Sequence, residues 1–180
     1  MIQQKKPDVI VAIDPDVDGS GVAQMYKRDL VTERMTLPRL ADFLRTYGSS
    51  GTDILVVVEA SYLISANWHL QKGDSTAKAA AKGKNVGRNH EIGRQIVEFC
   101  RHYQIPYEEK IPLKKIWKGK DGKITREELV SLCEGSGIHY HFASNDQEQR
   151  DAALLAIDRS GIPMIMLPAK SSKHKEKPNL

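Results

Sequence analysis

Two acidic residues close two apolar runs, Asp8-Val-Ile-Val-Ala-Ile-Asp14 and Asp53-Ile-Leu-Val-Val-Val-Glu59. Continuous hydrophobicity rich in β-branched residues suits strands buried on both faces. If the two strands are neighbours, Asp14 and Glu59 emerge on the same edge of one sheet. A buried strand end is a costly place for an unpaired charge, and two carboxylates held together repel unless a cation lies between them. A further acidic group, Asp146, Glu148 and Asp151, opens the last apolar helix, with Glu148 and Asp151 at the i, i+3 spacing that puts them on one helix face. Acids in a first turn ordinarily complement the helix dipole. Asp14, Glu59, Glu148 and Asp151 together make a stronger pattern, because four carboxylates could hold two divalent ions, and two metals ~4 Å apart can drive an in-line phosphodiester displacement. Oxygen donors without a Cys/His cluster favour Mg²⁺ or Mn²⁺ over Zn²⁺.

The elements that must position these acids can be read from pattern. After the first strand, Pro15-Asp-Val-Asp-Gly-Ser-Gly21 is a turn, and Val22 to Lys27 and Leu30 to Leu37 read as two more strands of an antiparallel meander joined through Arg28-Asp29. Pro38 opens a helix through Leu40, Phe43 and Leu44 that Gly48-Ser-Ser-Gly51 ends. Ser61 to Val86 carries little pattern and reads as a long functional loop. Asn89 is the expected cap of a helix whose apolar residues are Ile92, Ile96, Val97, Phe99 and Cys100. Tyr107 to Ile111 is a short strand, Leu113 to Lys123 a basic loop, and Thr125-Arg-Glu-Glu128 a capping box. The last helix starts near Asp146 and stops at Gly161-Ile-Pro163. Strands first, then alternating helix and strand, indicate an α/β fold with a mixed sheet flanked by helices.

This arrangement resembles the RuvC-type Holliday junction resolvases of the ribonuclease H-like superfamily. The residues carrying the resemblance are Val11-Ala-Ile-Asp14-Pro15 with Gly19-Ser-Gly-Val22, Val56-Val-Val-Glu59, Gly87-Arg88 at a helix start, and Glu148-Gln-Arg-Asp151-Ala152-Ala-Leu. They occur in the family's order over roughly residues 8 to 160. The chain departs from the pattern at Asp16, where a Gly is usual, and at Glu148, where an Asp is usual. The resemblance implies a ribonuclease H-like mixed five-stranded sheet whose first three strands are antiparallel. It implies a crossover junction endonuclease in which Asp14, Glu59, Glu148 and Asp151 are the catalytic metal ligands. Asp14 would bridge two Mg²⁺ or Mn²⁺, Glu59 and Asp151 would complete the cage, and Glu148 would hold one ion. Asp146 is an alternative to Glu148, and His141, on the alternating stretch Ile138-His-Tyr-His-Phe142, is a secondary candidate near the metals. Because junction resolvases cut two opposed strands, the resemblance also implies a homodimer on branched, four-way DNA.

Composition bounds the alternatives. The 180 residues are 40% hydrophobic and 28% charged, ordinary for a folded domain and unlike a disordered or fibrous chain. One domain over 1–165 with a basic tail over 166–180 is expected, and no apolar run is long enough to span a bilayer, so a cytoplasmic setting follows by default. Cys100 and Cys133 read as buried thiols. The net charge of +4 permits a polyanionic partner without demanding one, but basic residues cluster. Lys72, Lys78, Lys82, Lys84 and Arg88 lie in one stretch, and Lys114 and Lys115 flank Trp117 in another, a composition suited to phosphate contact with base stacking. Trp68, after Glu59, is a further candidate for nucleic-acid contact. Asp14-Pro-Asp16-Val-Asp18-Gly19 mimics a calcium loop, but its twelfth position is Met25 where a bidentate Glu is needed; Trp117 to Glu128 has the Glu without the opening acids. The rival functions are another nuclease of the same superfamily acting on RNA or RNA–DNA hybrids, and a non-catalytic junction-binding module. An actin-like ATPase shares the opening strand and turn, yet the chain is too short for its paired lobes.

Overall fold

The computed structural model describes residues 6–64, 75–141 and 146–167. One six-stranded sheet organises the chain: β1 (Val9–Asp14), β2 (Ser20–Tyr26), β3 (Asp29–Met35), β4 (Ile54–Glu59), β5 (Tyr107–Lys110) and β6 (His139–His141), in the spatial order β5-β4-β1-β2-β3-β6. β1, β2 and β3 pair antiparallel, while β4 runs parallel to β1 and β5 parallel to β4. The first five strands have the order and directions expected of a ribonuclease H-like sheet. The expected count of five is corrected to six, because β6 adds parallel to the free edge of β3 through only three residue pairs.

Four helices cover the sheet: α1 (Leu37–Ser50), α2 (Thr76–His102), α3 (Arg126–Gly135) and α4 (Gln147–Ser160). The two faces follow from strand alternation. Val11, Ile13, Val56 and Val58 point to one side and pack with Leu40 and Leu44 of α1 and Ile96, Val97 and Cys100 of α2. Ile10, Ala12, Leu55 and Val57 point to the other and pack with α3 and α4. Six successive residues of α4, Ala152 to Ile157, are buried. A helix buried nearly all round shows no amphipathic stripe, and its three alanines allow it to lie close against the strands. Cys100 and Cys133 are buried free thiols, as expected.

The stretch expected to be a loop to Val86 is corrected: α2 begins at Thr76, capped by Ser75, whose Oγ accepts from the Lys78 amide at 3.3 Å. From Thr76 to His90 no residue of this helix is buried, so its sequence carries no apolar period to read. Gly83 and Gly87 add helix-breaking composition without a tertiary reason, since a Cβ at either would meet nothing within 4 Å. Asn89 is correspondingly not a cap but lies inside the helix. The capping box at Thr125 and Glu128 forms as expected. Among the described residues, no helix is long and apolar enough to cross a membrane. Of the expected tail only Met166 and Leu167 are described, and the Leu167 amide reaches the Ser131 carbonyl of α3 at 3.4 Å.

Candidate active site

Asp14 follows Ile10 and Ala12 in alternation, and Glu59 follows Leu55 and Val57, so both acids face α4. The Ile13–Val58 pair sets β1 and β4 in register one residue earlier, placing the two carboxylates side by side at the carboxyl edge of the sheet. Asp14 also pairs with Gly21 of β2. A Cβ on Gly21 would stand 2.0 Å from the carbonyl oxygen of Glu148. Only a glycine permits the first turn of α4 to press onto the sheet here, and this contact delivers Glu148 and Asp151 to the two strand acids.

The electrostatics record the crowding. Burial, then the charges of Glu59 and Asp151, push the Asp14 carboxyl well above its usual range, with Glu148 adding to the rise and Lys123 opposing it. Glu59 is pushed up to about 7 by burial and by Asp151, against the pull of Lys115 and Lys123. Adjacent like charges in a poorly solvated pocket disfavour ionisation, so the group calls for a cation. Lys123 supplies part of it: its Nζ lies 3.1 Å from Asp151 Oδ2. Burial works against the Lys123 ammonium, but Asp151, Asp14 and Glu148 outweigh it and hold its pKa above the ordinary lysine value. The other oxygen of Asp151 accepts from Gln147 Nε2 at 2.8 Å.

Lys123 was not among the residues that sequence pattern singled out, being one more cation at the end of a basic loop. Its place is set by the loop 115–123, folded back on itself by Trp117 N donating to Gly122 O at 3.0 Å and Gly119 N to Lys123 O at 3.0 Å. A Cβ on Gly119 would meet Lys123 O at 2.4 Å, and Gly122 combines a φ of +74° with 2.7 Å to Lys115 O, so both glycines are required by close approach. Glu128, besides closing the capping box, accepts from Lys118 N with both oxygens at 3.1 Å. It is thus a structural tie between the loop and the start of α3. Arg150 Nε donates to Ile124 O at 3.1 Å, fastening the loop to α4 beside Asp151.

A second set of ties fixes the turn after Asp14. Asp16 accepts from Asp18 N at 2.9 Å and from Asn89 Nδ2 at 3.1 Å, and Val17 N donates to Asn89 Oδ1 at 3.1 Å. Asn89, which sequence pattern assigned to capping, therefore pins α2 to the turn. Arg34 of β3 reaches Gly19 O with Nε at 3.1 Å, Asp16 at 3.8 Å and Asp146 at 3.6 Å. Asp16, where the resemblance leads one to expect Gly, is the junction of these contacts. Asp146 is the N-cap of α4, its Oδ1 accepting from Gln149 N at 3.0 Å, and is engaged with Arg34. Those contacts account for Asp146 as the helix cap.

The other candidates divide by place. His141 is exposed on β6 with Nε2 4.0 Å from Asp29 Oδ1, and Asp29 belongs to the opposite end of the sheet from Arg34, so the expectation of a histidine near the acids is corrected. The strand pleat explains it: Tyr140 points inward to Thr32 at 3.1 Å, leaving both flanking histidines outward. Lys78, Lys82, Lys84 and Arg88 stand on the uncovered half of α2. Lys114 and Lys115 are exposed, whereas Trp117 is packed against the core under α3 and α4. Trp68 and Lys72 lie outside the described residues.

A divalent ion fits the donor chemistry, four hard carboxylates with excess negative charge in a half-buried site. The side chains are not pre-gathered for it: among the described residues no three His, Cys, Asp or Glu side chains converge closely enough to hold an ion.

No protein-family model matches the chain, and no curated protein matches it. Among solved structures it is similar to Thermus thermophilus RuvC in complex with a Holliday junction substrate, with a TM-score of 0.45 and 14% identity over 88% of this chain and 99% of that one. A second structure of Thermus thermophilus RuvC gives a TM-score of 0.42 and 15% identity over the same shares.

Proposed function

We propose that this chain is a divalent-metal-dependent endonuclease that cuts DNA phosphodiesters at four-way junctions, acting as a homodimer. The proposal is supported by the mutual repulsion of Asp14, Glu59, Glu148 and Asp151 near one sheet edge, which Lys123 only partly offsets. These four residues would hold the metal, two ions being the count the donor set suggests. When bound, the metal supplies Lewis-acid stabilisation of the oxygens at the reacting phosphorus and lowers the pKa of a water. Asp14, fixed between β2 and β4, contributes the most rigidly placed carboxylate. Glu148 and Asp151 ride on α4 and are set by the Gly21 contact. Lys123, tied to Asp151, offers a cation to a phosphate oxygen entering the site. Lys78, Lys82, Lys84, Arg88, Lys114 and Lys115 follow the backbone without reading sequence.

The test is incubation with a labelled mobile four-way junction, with and without Mg²⁺ or Mn²⁺, beside linear duplex and RNA–DNA hybrid. Paired symmetric nicks on the junction alone are expected. Asp14→Asn should lower cutting by at least about a hundredfold while leaving junction affinity within about threefold; undiminished cutting by that variant would refute the assignment. Preferential cleavage of the hybrid would move the substrate to RNA-containing duplexes. One observation favours a second reading: Lys123 already occupies part of the acid group, and both Asp151 oxygens have protein partners. A non-catalytic junction-binding module predicts tight binding and no metal-dependent product.

A further inference from the structure

The loop between β5 and α3 turns its two bulky apolar residues in opposite directions. Trp117, the residue whose composition suggested base stacking, is partly buried against the core, whereas Ile116 beside it is 77% exposed, the most exposed of the large hydrophobic residues described. Lone exposed aliphatic side chains are common on protein surfaces, so exposure by itself assigns nothing. Three features set Ile116 apart. Its loop is closed: the neighbouring Trp117 packs by its ring and donates its amide to Gly122 O at 3.0 Å, and the loop has no room for side chains at Gly119 or Gly122. It borders the acids: Trp117 N bonds to Gly122 O at 3.0 Å across the loop, and Lys123, the residue after Gly122, has its Nζ 3.1 Å from Asp151 Oδ2. And its sequence neighbours are the cations Lys114, Lys115, Lys118 and Lys120, all exposed, which would draw a polyanion onto this surface.

A branched aliphatic presented among lysines on a hydrogen-bonded loop has the chemistry of an apolar wedge, which presses between bases and unstacks them while the surrounding cations hold phosphates. We propose that Ile116 is such a wedge, packing against an unstacked base at the branch point next to the phosphodiester that the acids address. This rests on the proposed junction-cutting function and adds the residue that would recognise an opened base step. It also reassigns the apolar contact of this loop from Trp117 to Ile116.

Binding and local fluorescence test it without any cutting. In the Asp14→Asn background, the chain is titrated onto a four-way junction carrying 2-aminopurine at the branch point, and onto a linear duplex with the same label. Ile116→Ser should weaken junction binding about tenfold and abolish the fluorescence rise, with duplex affinity unchanged. Ile116→Met, which keeps the apolar volume, should restore both. The dependence of log K on log salt should be the same in all three proteins, because no charge is altered. Unfolding midpoints should also coincide, since the side chain is solvent-facing. Equal junction affinity and equal fluorescence for Ile116→Ser and the parent would overturn the wedge while leaving the nuclease reading intact. Failure of the parent to prefer the junction over duplex would overturn that reading and the wedge with it.

Discussion

The acid edge of the sheet and the first half of α2 are opposite kinds of structure. At the acid edge the elements are closely fitted: Gly21 has no space for a Cβ against Glu148, Asp14 lies between two strands, and Lys123 is held by a loop that tolerates no side chain at two of its positions. Thr76 to Arg88 includes no buried residue, carries Lys78, Lys82, Lys84 and Arg88, and has two glycines at which, among the described residues, a Cβ would meet nothing within 4 Å. The difference teaches where function is coupled to folding. Changes at the acid edge must alter packing, charge and chemistry together, whereas changes on the exposed half of α2 act singly and add.

The sharpest way to break this contrast is to treat one glycine from each region alike. Gly21→Ala should destabilise the protein by about 3 kcal/mol, the cost of forcing backbone atoms apart in a packed site, and should reduce cutting further by lifting α4 away from Asp14. Urea unfolding combined with the junction assay checks both effects. Equal stability of Gly21→Ala and the parent would mean that α4 does not rest on β2 as described.

The next largest effect is on pH. Because Glu59 titrates near 7 in the folded protein against an ordinary value of 4.5, the native state holds a proton that the unfolded chain has already released. Stability from this group is therefore full below about 4.5 and is lost as pH rises through about 7, and the raised Asp14 adds in the same direction. Urea unfolding of metal-free protein across that window should show stability falling with pH, and Glu59→Gln should flatten the slope. A parent and variant with identical profiles would show that Glu59 does not hold a proton in the folded protein across this window.

Two smaller effects belong to α2. Gly87→Ala should stabilise the protein by about 1 kcal/mol, because an alanine there meets nothing and gains helix propensity; a higher unfolding midpoint with unchanged cutting is the expected result. Lys82→Ala should weaken junction binding a few-fold and lower the salt slope by about 0.9. A salt slope that did not change would remove this helix from the nucleic-acid surface.

Most of the framework was legible because its signals are local and redundant. The two runs ending in Asp14 and Glu59, the capping box at Thr125 and Glu128 and the stop at Gly161 each announce themselves within a few residues. The first half of α2 was not legible, since a helix segment with no buried residue has no apolar period, and Gly83 and Gly87 read as breakers. β6 was missed as a member of the sheet because three residues pairing with a distant edge leave no such signature.

For the site, residue type and order along the chain already named Asp14, Glu59, Glu148 and Asp151 as candidates and pointed to a cation between them. Buried strands must end at a sheet edge, and acids three apart on a helix must share a face. Only the tertiary structure decided the rest: that Lys123 is the cation at hand, that Asp16, Asn89 and Arg34 form one tie with Asp146, that Asp146 is a cap, that His141 is remote, and that Ile116 faces out where Trp117 faces in. Those outcomes depend on contacts between residues up to a hundred or more positions apart, such as Arg34 with Asp146 at 3.6 Å and Lys123 with Asp151 at 3.1 Å. Side-chain chemistry states what a residue can do, but the close approach of separate elements selects the partner with which it does it.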